Sequence, residues 1–266
     1  MFDLFSDNDL IIVQSHLLND LGVINGFTMR MGGVSQPPYA ELNMAFHTGD
    51  NPDDVRENRQ KVAKALGIKV SAMVAAEQVH GANAYVVTAK DAGCGSLSST
   101  LAIPHTDIML TNTDGIVLTS FYADCVPILL ADPVQRVVAS AHAGWRGTRL
   151  HVGAVALRAM HEHFASDPAD VRVVIGPAIG PCCYQVSQQM ADDFMHEFGA
   201  DVALGRQLDL RLANKRSLEC AGVPSSHIHS APWCTSCQHE LFFSHRASDG
   251  VTGRFAALIG MHRAGQ

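Results

Sequence analysis

A chain of 266 residues, 47 % hydrophobic and 17 % charged, can bury a sizeable core without external cross-links. Its formal net charge of −7, with no extended Lys/Arg cluster, argues against nucleic acid and anionic membranes as partners. No apolar run approaches the ~20 residues of a membrane helix, and the N-terminal segment lacks the regions of a signal peptide. Seven cysteines without a disulfide pattern then predict a cytoplasmic protein in a reducing compartment.

The first ninety residues contain short β-branched runs and one clear helix. Asn51 can cap this helix, Pro52 suits its first turn, and Gly67 follows as a stop. These patterns predict strands over 11–13, 23–28 and 84–88 and a helix over 52–66.

The remainder begins with residues 91–106, which are rich in Gly, Ser and Thr and have no period; they predict a loop insertion or a mobile loop. Apolar runs and helical periodicity follow. They predict strands over 108–110, 115–119, 126–130, 136–141 and 171–175, and helices over about 148–164 and 187–198. No repeat or linker divides the chain, so we expect one mixed α/β domain over residues 1–266.

Three segments place reactive side chains beside glycine at the ends of strand-like runs. They contribute His80, Cys125 and His142. Two His and one Cys suit a catalytic zinc site, because three protein ligands leave the fourth position for water or substrate. The same donors also suit copper. Their wide separation in sequence is uninformative, so an ordinary structural role for each stays open at this point.

Two glycine-containing loops are candidate pocket walls. The turn 144–148 leads into a predicted helix and carries Arg146 and Thr148, which suits an anion or phosphate pocket. A tight strand-to-helix turn with a surface arginine fits equally well. The loop 176–184 contains two prolines and two glycines, and it fits a rigid pocket wall or a plain connection.

Other metal motifs are weaker. Cys234 and Cys237 form a CxxC motif without a second pair, which supports neither a zinc knuckle nor a thioredoxin motif. Two His-x-His pairs, at 161/163 and 227/229, suggest a multicopper oxidase. The first lies in a predicted helix, where positions i and i+2 point to different faces. One usable pair is too few for a copper cluster.

Over nearly its whole length the chain resembles the bacterial YfiH-type laccase-domain family, also called the multicopper polyphenol oxidase or purine nucleoside phosphorylase family. Its most specific motifs are Ala-Asp-Cys ending at Cys125 and the His-Ala-Gly-Trp-Arg-Gly run from His142. The matching segments are 30–35, 42–43, 47–50, 57–59, 78–81, 106–107 or 113–115, 123–125, 142–147, 175–177, 183–184, 234–235, 243–246 and 252–254.

The resemblance implies that His80, Cys125 and His142 are the metal ligands, in a mixed α/β fold with a central β core flanked by helices. It implies zinc-dependent phosphorolysis of adenosine, inosine and methylthioadenosine, and deamination of adenosine. We expect the protein to be a monomer or a small homo-oligomer. We expect Asp124 to orient a histidine ligand. The residues expected to contact nucleoside or phosphate are Arg30, Asn43, His47, Gln78, Arg146 and Thr148.

Two other functions stay open. Cys125, activated by His142 or His80, would make a cysteine-type amidase or hydrolase. This fits a family fold that has been likened to cysteine hydrolases and linked to the editing of peptidoglycan precursors. A non-catalytic module with an incidental metal is the other alternative. The number of available ligands disfavours a copper-dependent polyphenol oxidase.

Overall fold

The computed structural model describes residues 1–262, which form two six-stranded mixed sheets, a short two-stranded ribbon and six α-helices. The strands are β1 Phe2–Asp7, β2 Leu10–Ser15, β3 Val23–Thr28, β4 Met73–Ala75, β5 Ala84–Val86, β6 Ile108–Thr111, β7 Val117–Tyr122, β8 Val126–Asp132, β9 Val137–Ala143, β10 Arg172–Ile175, β11 Ala203–Leu204, β12 Gln207–Leu208, β13 Ile228–Ser230 and β14 Phe255–Met261. The helices are α1 His16–Asn19, α2 Pro52–Ala65, α3 Trp145–Arg149, α4 Val152–Phe164, α5 Gln188–Phe198 and α6 Leu210–Cys220.

The two large sheets pack face to face between helices. The first has the order β1-β2-β3-β14-β7-β4, and the second has the order β13-β10-β8-β9-β6-β5. Alternate residues of each strand point to opposite faces. Thus Leu118 and Ile259 of the first sheet share a core with Leu129 and Val138 of the second. The outer face of the first sheet packs on α2, and that of the second packs on α4, α5 and α6. The mixed α/β prediction is confirmed.

Most of the helices and strands predicted from the sequence are present in this four-layer arrangement. They could be predicted because the spacing of their buried apolar residues is visible in the sequence. Helix α2 has Asn51 as its N-cap, whose side chain accepts a hydrogen bond from the N–H of Asp53 at 3.0 Å. Helix α5 is capped by Ser187 in the same way. The sequence interpretation missed helix α6 and strand β14, although β14 is a buried central strand of the first sheet.

The single helix predicted over 148–164 is wrong in two respects. Helix α3 begins at Trp145, and α4 begins only at Val152. Between them His151 has a positive φ of 51°, which breaks the helical path. The imidazole Nδ1 of His151 lies 2.9 Å from the hydroxyl of Ser217 on α6, so the break is anchored to a neighbouring helix.

The segment 91–106, expected to be an insertion or a mobile loop, is tied to the body of the protein. The Arg59 guanidinium donates to the carbonyls of Gly95 and Ser96, at 2.5 and 2.9 Å. The backbone of Ala75 bonds to both Cys94 and Ile103. The segment therefore forms a fixed wall above the edge of the first sheet. Within residues 1–262, no helix is long and apolar enough to cross a membrane.

Candidate metal and substrate site

Strand direction brings three distant segments to one end of the second sheet. Asp107 immediately precedes β6, Cys125 immediately precedes β8, and His142 lies at the end of β9. Strand β9 is antiparallel to both of its neighbours. The beginnings of β6 and β8 therefore lie beside the end of β9. His80 reaches the same place from the loop between β4 and β5.

A buried carboxylate, Asp107, holds both histidines in place. Its oxygens accept the backbone N–H groups of Val79, His80 and Gly81 at 3.2, 3.0 and 2.7 Å. One of them also lies 2.8 Å from Nδ1 of His142. Burial alone would raise the pKa of Asp107, but these partners outweigh it and lower the pKa. The carboxylate is therefore ionised, and Nδ1 of His142 is the donor.

This hydrogen bond leaves the second ring nitrogen of His142 facing Cys125 and His80. The Sγ of Cys125 lies 3.9 Å from Nε2 of His80, and one ligand atom from each of the three residues falls within 4.8 Å of the others. The His80 and His142 rings meet edge to face, with centroids 4.7 Å apart. The structure therefore brings together the three side chains that the sequence analysis expected in one site.

The electrostatics of this cluster favour a thiolate. Burial would raise the pKa of Cys125, but the charge and hydrogen bond of His142, together with His80, lower it to about 6. Burial would lower the pKa of His142, but the Cys125 thiolate and Asp107 raise it to about 9. A thiolate beside two imidazoles is the donor set of a tetrahedral N₂S metal site.

The space around the cluster, like the chemistry of its side chains, is suitable for a metal ion. At Gly144 a Cβ atom would lie 3.0 Å from Cδ2 of His80 and 3.1 Å from Sγ of Cys125. Glycine therefore keeps the ligands uncovered on that side. Because Asp107 orients one imidazole and the His80 backbone, the ligands are held before any metal arrives. These residues fit a bound metal with an open position.

The cluster forms part of the wall of a pocket with a volume of about 1060 Å³. This is at the upper end of the range for small-molecule sites, about 300–1,000 Å³. Four arginines and two acidic residues line it, so the pocket attracts anions. The charged lining residues are Arg59, Arg146, Arg246, Arg254, Glu77 and Asp124. Half-buried Trp145 and Tyr184 add aromatic surface.

Comparison with known proteins identifies the family. Residues 24–262 match the family described as multi-copper polyphenol oxidoreductase laccase. YlmD of Geobacillus stearothermophilus, named a purine nucleoside phosphorylase, is 42 % identical over 249 residues, covering 90 % of each chain. YfiH of Escherichia coli, also named a purine nucleoside phosphorylase, is 36 % identical over 242 residues, covering 90 % of this chain and 93 % of YfiH. The chain belongs to this laccase-domain family.

A solved structure extends the family likeness to three dimensions. The crystal structure of YlmD from Geobacillus stearothermophilus superposes with a TM-score of 0.91 at 38 % identity, covering 98 % of this chain and 100 % of that one. The copper in the family description has no counterpart in the His-x-His pairs. Within residues 1–262, neither pair belongs to a cluster of three or more metal-ligating side chains.

Of the residues predicted to bind substrate, His47, Gln78 and Arg146 line the pocket of this laccase-domain protein. The pKa of His47 is lowered to about 4 by desolvation and by Arg254 and Arg59, so its imidazole is neutral at pH 7. The side-chain amide of Gln78 is hydrogen-bonded to the backbone: it donates to the carbonyl of Phe121 and accepts from the N–H of the same residue. Gln78 therefore positions the wall.

The structure gives three other predicted substrate contacts a scaffolding role. Arg30 directs its guanidinium to the carbonyls of Ala40 and His239. Asn43 is fully buried and bridges its own turn to the N–H of Arg254. Thr148 is fully buried and bonds to Gly144. Arg30, Asn43 and Thr148, which were expected to contact nucleoside or phosphate, do not line the pocket.

Asp124 also has a different contact from the expected one. Its carboxylate accepts hydrogen bonds from the hydroxyl of Thr235 at 2.7 Å and the N–H of Arg246 at 2.6 Å, and not from a histidine. Asp107 is the residue that orients a histidine. In the sequence analysis it appeared only as part of the matching Thr-Asp segment 106–107. Asp124 instead ties the Cys125 loop to the segment carrying Arg246.

Replacing Asp107 by Asn should weaken both the site and the fold. An amide has one acceptor oxygen, and its NH₂ would face N–H donors of the His80 loop, leaving buried donors unpaired. We expect a loss of about 3 kcal/mol in the free energy of unfolding and a drop of about 10- to 100-fold in the affinity for added zinc, used here as the probe metal. Urea denaturation and competition with a chelator measure the two effects. Asp201→Asn, which removes only an exposed ion pair, should change neither, and unchanged zinc affinity in Asp107→Asn would contradict the role.

Proposed function

We propose that this protein is a zinc-dependent purine nucleoside phosphorylase. One observation carries the proposal: the His80, Cys125 and His142 cluster lies in the wall of a substrate-sized pocket that also contains arginines. The names of the relatives YlmD and YfiH support the same activity. The proposed substrates are a purine nucleoside and inorganic phosphate, with adenosine, inosine and methylthioadenosine as the nucleosides to test.

His80, Cys125 and His142 would hold the zinc ion. Zinc fits two imidazoles and a thiolate, and when bound it supplies Lewis-acid chemistry to the pocket. Copper accepts the same donors, so ligand identity alone does not separate the two metals. Tyr122 packs beneath the site, its ring centroid 5.4 Å from that of His142, and excludes water from the buried side.

Arg146 is the residue best placed to hold phosphate. It lies in the pocket lining, and its guanidinium stacks at 5.0 Å on the ring of Trp145. Within residues 1–262 the guanidinium makes no hydrogen bond or ion pair, and the backbone carbonyl of Arg146 only closes the helical turn to Leu150. Arg254 and Arg246, by contrast, direct donors to backbone carbonyls. They add positive charge, while Arg146 has a guanidinium available for two charge-assisted bonds to an oxyanion. His47 can add a hydrogen bond without further charge.

Phosphorolysis requires the two substrates to be held together. A phosphate oxygen forms a bond to C1′ of the ribose, the C1′–N9 bond breaks, and the purine leaves with a proton. Arg146 and the aromatic side chains of Trp145 and Tyr184 line the same pocket, so they can bind phosphate and base together. Holding the reactants in this way accounts for much of such a rate enhancement.

The proposal includes deamination of adenosine in the same pocket. Water then adds to C6 of the purine and ammonia leaves, which requires a group that moves protons. Glu77 lines the pocket with an exposed carboxylate, and its Oε2 lies 3.3 Å from Nδ1 of His105. This carboxylate can move the protons. Asp107 is unsuited to this task, because its oxygens are occupied by four donors.

The direct test is turnover of nucleosides by protein of known zinc content. Adenosine, inosine and methylthioadenosine are incubated with and without phosphate, and free base, ribose 1-phosphate and inosine are followed by chromatography. We expect phosphate-dependent base release that is lost in Cys125→Ala. Cys220→Ala, at an exposed cysteine on α6, is the matched control. A zinc-loaded protein that turns over none of the three would overturn the assignment.

Arg146→Ala should raise the KM for phosphate about 10-fold or more, because one charge-assisted contact is lost. The KM for nucleoside should change much less. Steady-state kinetics with varied phosphate measure the effect. Arg149→Ala is the matched control, since Arg149 lies on the same short helix but faces Asp193 and Glu197. Equal effects of the two variants would remove Arg146 from phosphate binding.

One observation favours a second candidate, a cysteine-type amidase acting on peptidoglycan precursors. Without metal, Cys125, His142 and Asp107 form a nucleophile, a base and an orienting carboxylate in that order. The two functions exclude each other while the thiolate binds metal, so the reactivity of Cys125 separates them.

Metal-free protein should therefore alkylate rapidly at Cys125. With the thiol pKa at about 6, the rate with iodoacetamide should rise through pH 6 and level off near pH 8. Asp107→Asn should move this profile to higher pH, because Asp107 helps to stabilise the His142 imidazolium. Peptide mass spectrometry measures the label at this site. Zinc-loaded protein should be protected; equal labelling with and without zinc would favour the amidase.

A further inference from the structure

Four cysteines meet outside the residues that line the pocket. Cys182 and Cys183 lie in the loop after β10, and Cys234 and Cys237 follow β13. Their sulfur atoms all lie within 4.8 Å of one another. The Sγ of Cys237 is 3.4 Å from those of both Cys182 and Cys183. The CxxC motif interpreted as isolated therefore has a second cysteine pair, supplied from more than fifty residues away in sequence.

The backbone around Cys234 is arranged to stabilise a thiolate. The N–H of Gly180 donates to its Sγ at 3.1 Å, and the N–H of Cys237 donates at 3.5 Å. A CxxC turn whose backbone N–H groups point at the first sulfur suits metal–thiolate coordination, because the sulfur carries negative charge there.

The surroundings also accommodate the charge and size of a bound ion. Four thiolates around a divalent cation leave an excess of negative charge. Arg211 donates to the carbonyls of Ala231 and Trp233 next to the motif. A Cβ atom at Gly180 would lie 3.2 Å from Nη2 of Arg211 and 3.3 Å from Sγ of Cys182. A larger residue there would crowd both the cluster and its counter-charge.

We propose that Cys182, Cys183, Cys234 and Cys237 bind a structural zinc ion, separate from the site at Cys125. Four cysteines form a closed tetrahedral site, with no position left for water or substrate. Two of the four, Cys182 and Cys237, are exposed, so a role in the hydrophobic core does not explain the cluster.

The ion joins the two segments that build one side of the pocket. The loop 176–184 presents Tyr184, and the segment after Cys237 presents His245 and Arg246. The guanidinium of Arg246 donates to the carbonyl of Cys183 at 3.1 Å, so the cluster and the pocket are in direct contact. A metal at this junction fixes the distance between these segments, which short hydrogen-bonded loops alone would leave adjustable.

A disulfide is the competing outcome. It would use two of the four sulfurs, and Cys237 lies equally far from Cys182 and Cys183, so the geometry selects no single pair. The pairing of Thr235 N–H with Ala178 and of Cys234 with Gly180 holds both segments together around all four residues. This arrangement favours shared coordination.

The test measures zinc in full-length protein purified with a non-chelating phosphine reductant and added zinc. Cys125→Ser should retain one zinc per chain, and Cys125→Ser combined with Cys234→Ser should retain none. X-ray absorption of Cys125→Ser should show four sulfur neighbours at about 2.3 Å. Cys220→Ser should keep the wild-type content. Because Cys234 is buried and its variant can misfold, Cys182→Ser, at an exposed position, is measured too and should release zinc to a chelator faster than wild type.

The outcomes separate this site from the proposed catalytic one. One zinc in wild type and none in Cys125→Ser would overturn the tetracysteine site and leave the proposed function intact. One zinc in both would support the tetracysteine site and remove metal from the Cys125 cluster. A disulfide between any two of the four in reduced, zinc-supplemented protein, found by peptide mass spectrometry, would also overturn the proposal.

Discussion

The site depends on the carboxylate of Asp107. It accepts hydrogen bonds from three backbone N–H groups of the His80 loop and fixes the ring of His142 through a 2.8 Å hydrogen bond. His80 itself has a positive φ of 62°, an unfavourable conformation for a residue with a side chain. Hydrogen bonds on both sides of this residue compensate for that cost. One buried charge thus holds a strained loop and a strand in the arrangement that a metal needs.

The four-layer fold makes this arrangement rigid. His142 ends a strand that is buried on both faces, and its neighbours β6 and β8 run in the opposite direction. Side chains at that end of the sheet are therefore held by two layers of core. Part of the pocket wall is built from loops. Asp124 ties the Cys125 loop to Thr235 and Arg246, and the four cysteines bring the loop after β10 next to the segment after β13. The candidate metal ligands are thus held by the sheet, and part of the pocket around them is formed by loops that are tied to one another.

Most regular elements could be predicted from the sequence because burial leaves a period in the chain. Helix α2 and strands β8 and β9 follow from apolar spacing and caps alone. The roles of polar residues were harder to predict. Arg30, Asn43 and Thr148 have the chemistry of phosphate ligands, yet their donors and acceptors satisfy backbone groups elsewhere. A buried backbone carbonyl and a phosphate both accept hydrogen bonds from an arginine side chain, so the sequence alone does not show which of the two an arginine binds.

By itself, the sequence determined the family and the mixed α/β class and singled out three candidate ligands, because motifs of adjacent residues are local and specific. Tertiary structure decided which acid orients the histidine: Asp107 and Asp124 both precede site strands or site residues, and only strand pairing brings one of them to His142. It also completed the CxxC motif with Cys182 and Cys183. Contacts between residues far apart in sequence depend on how the whole chain folds, and a local sequence pattern carries no information about that.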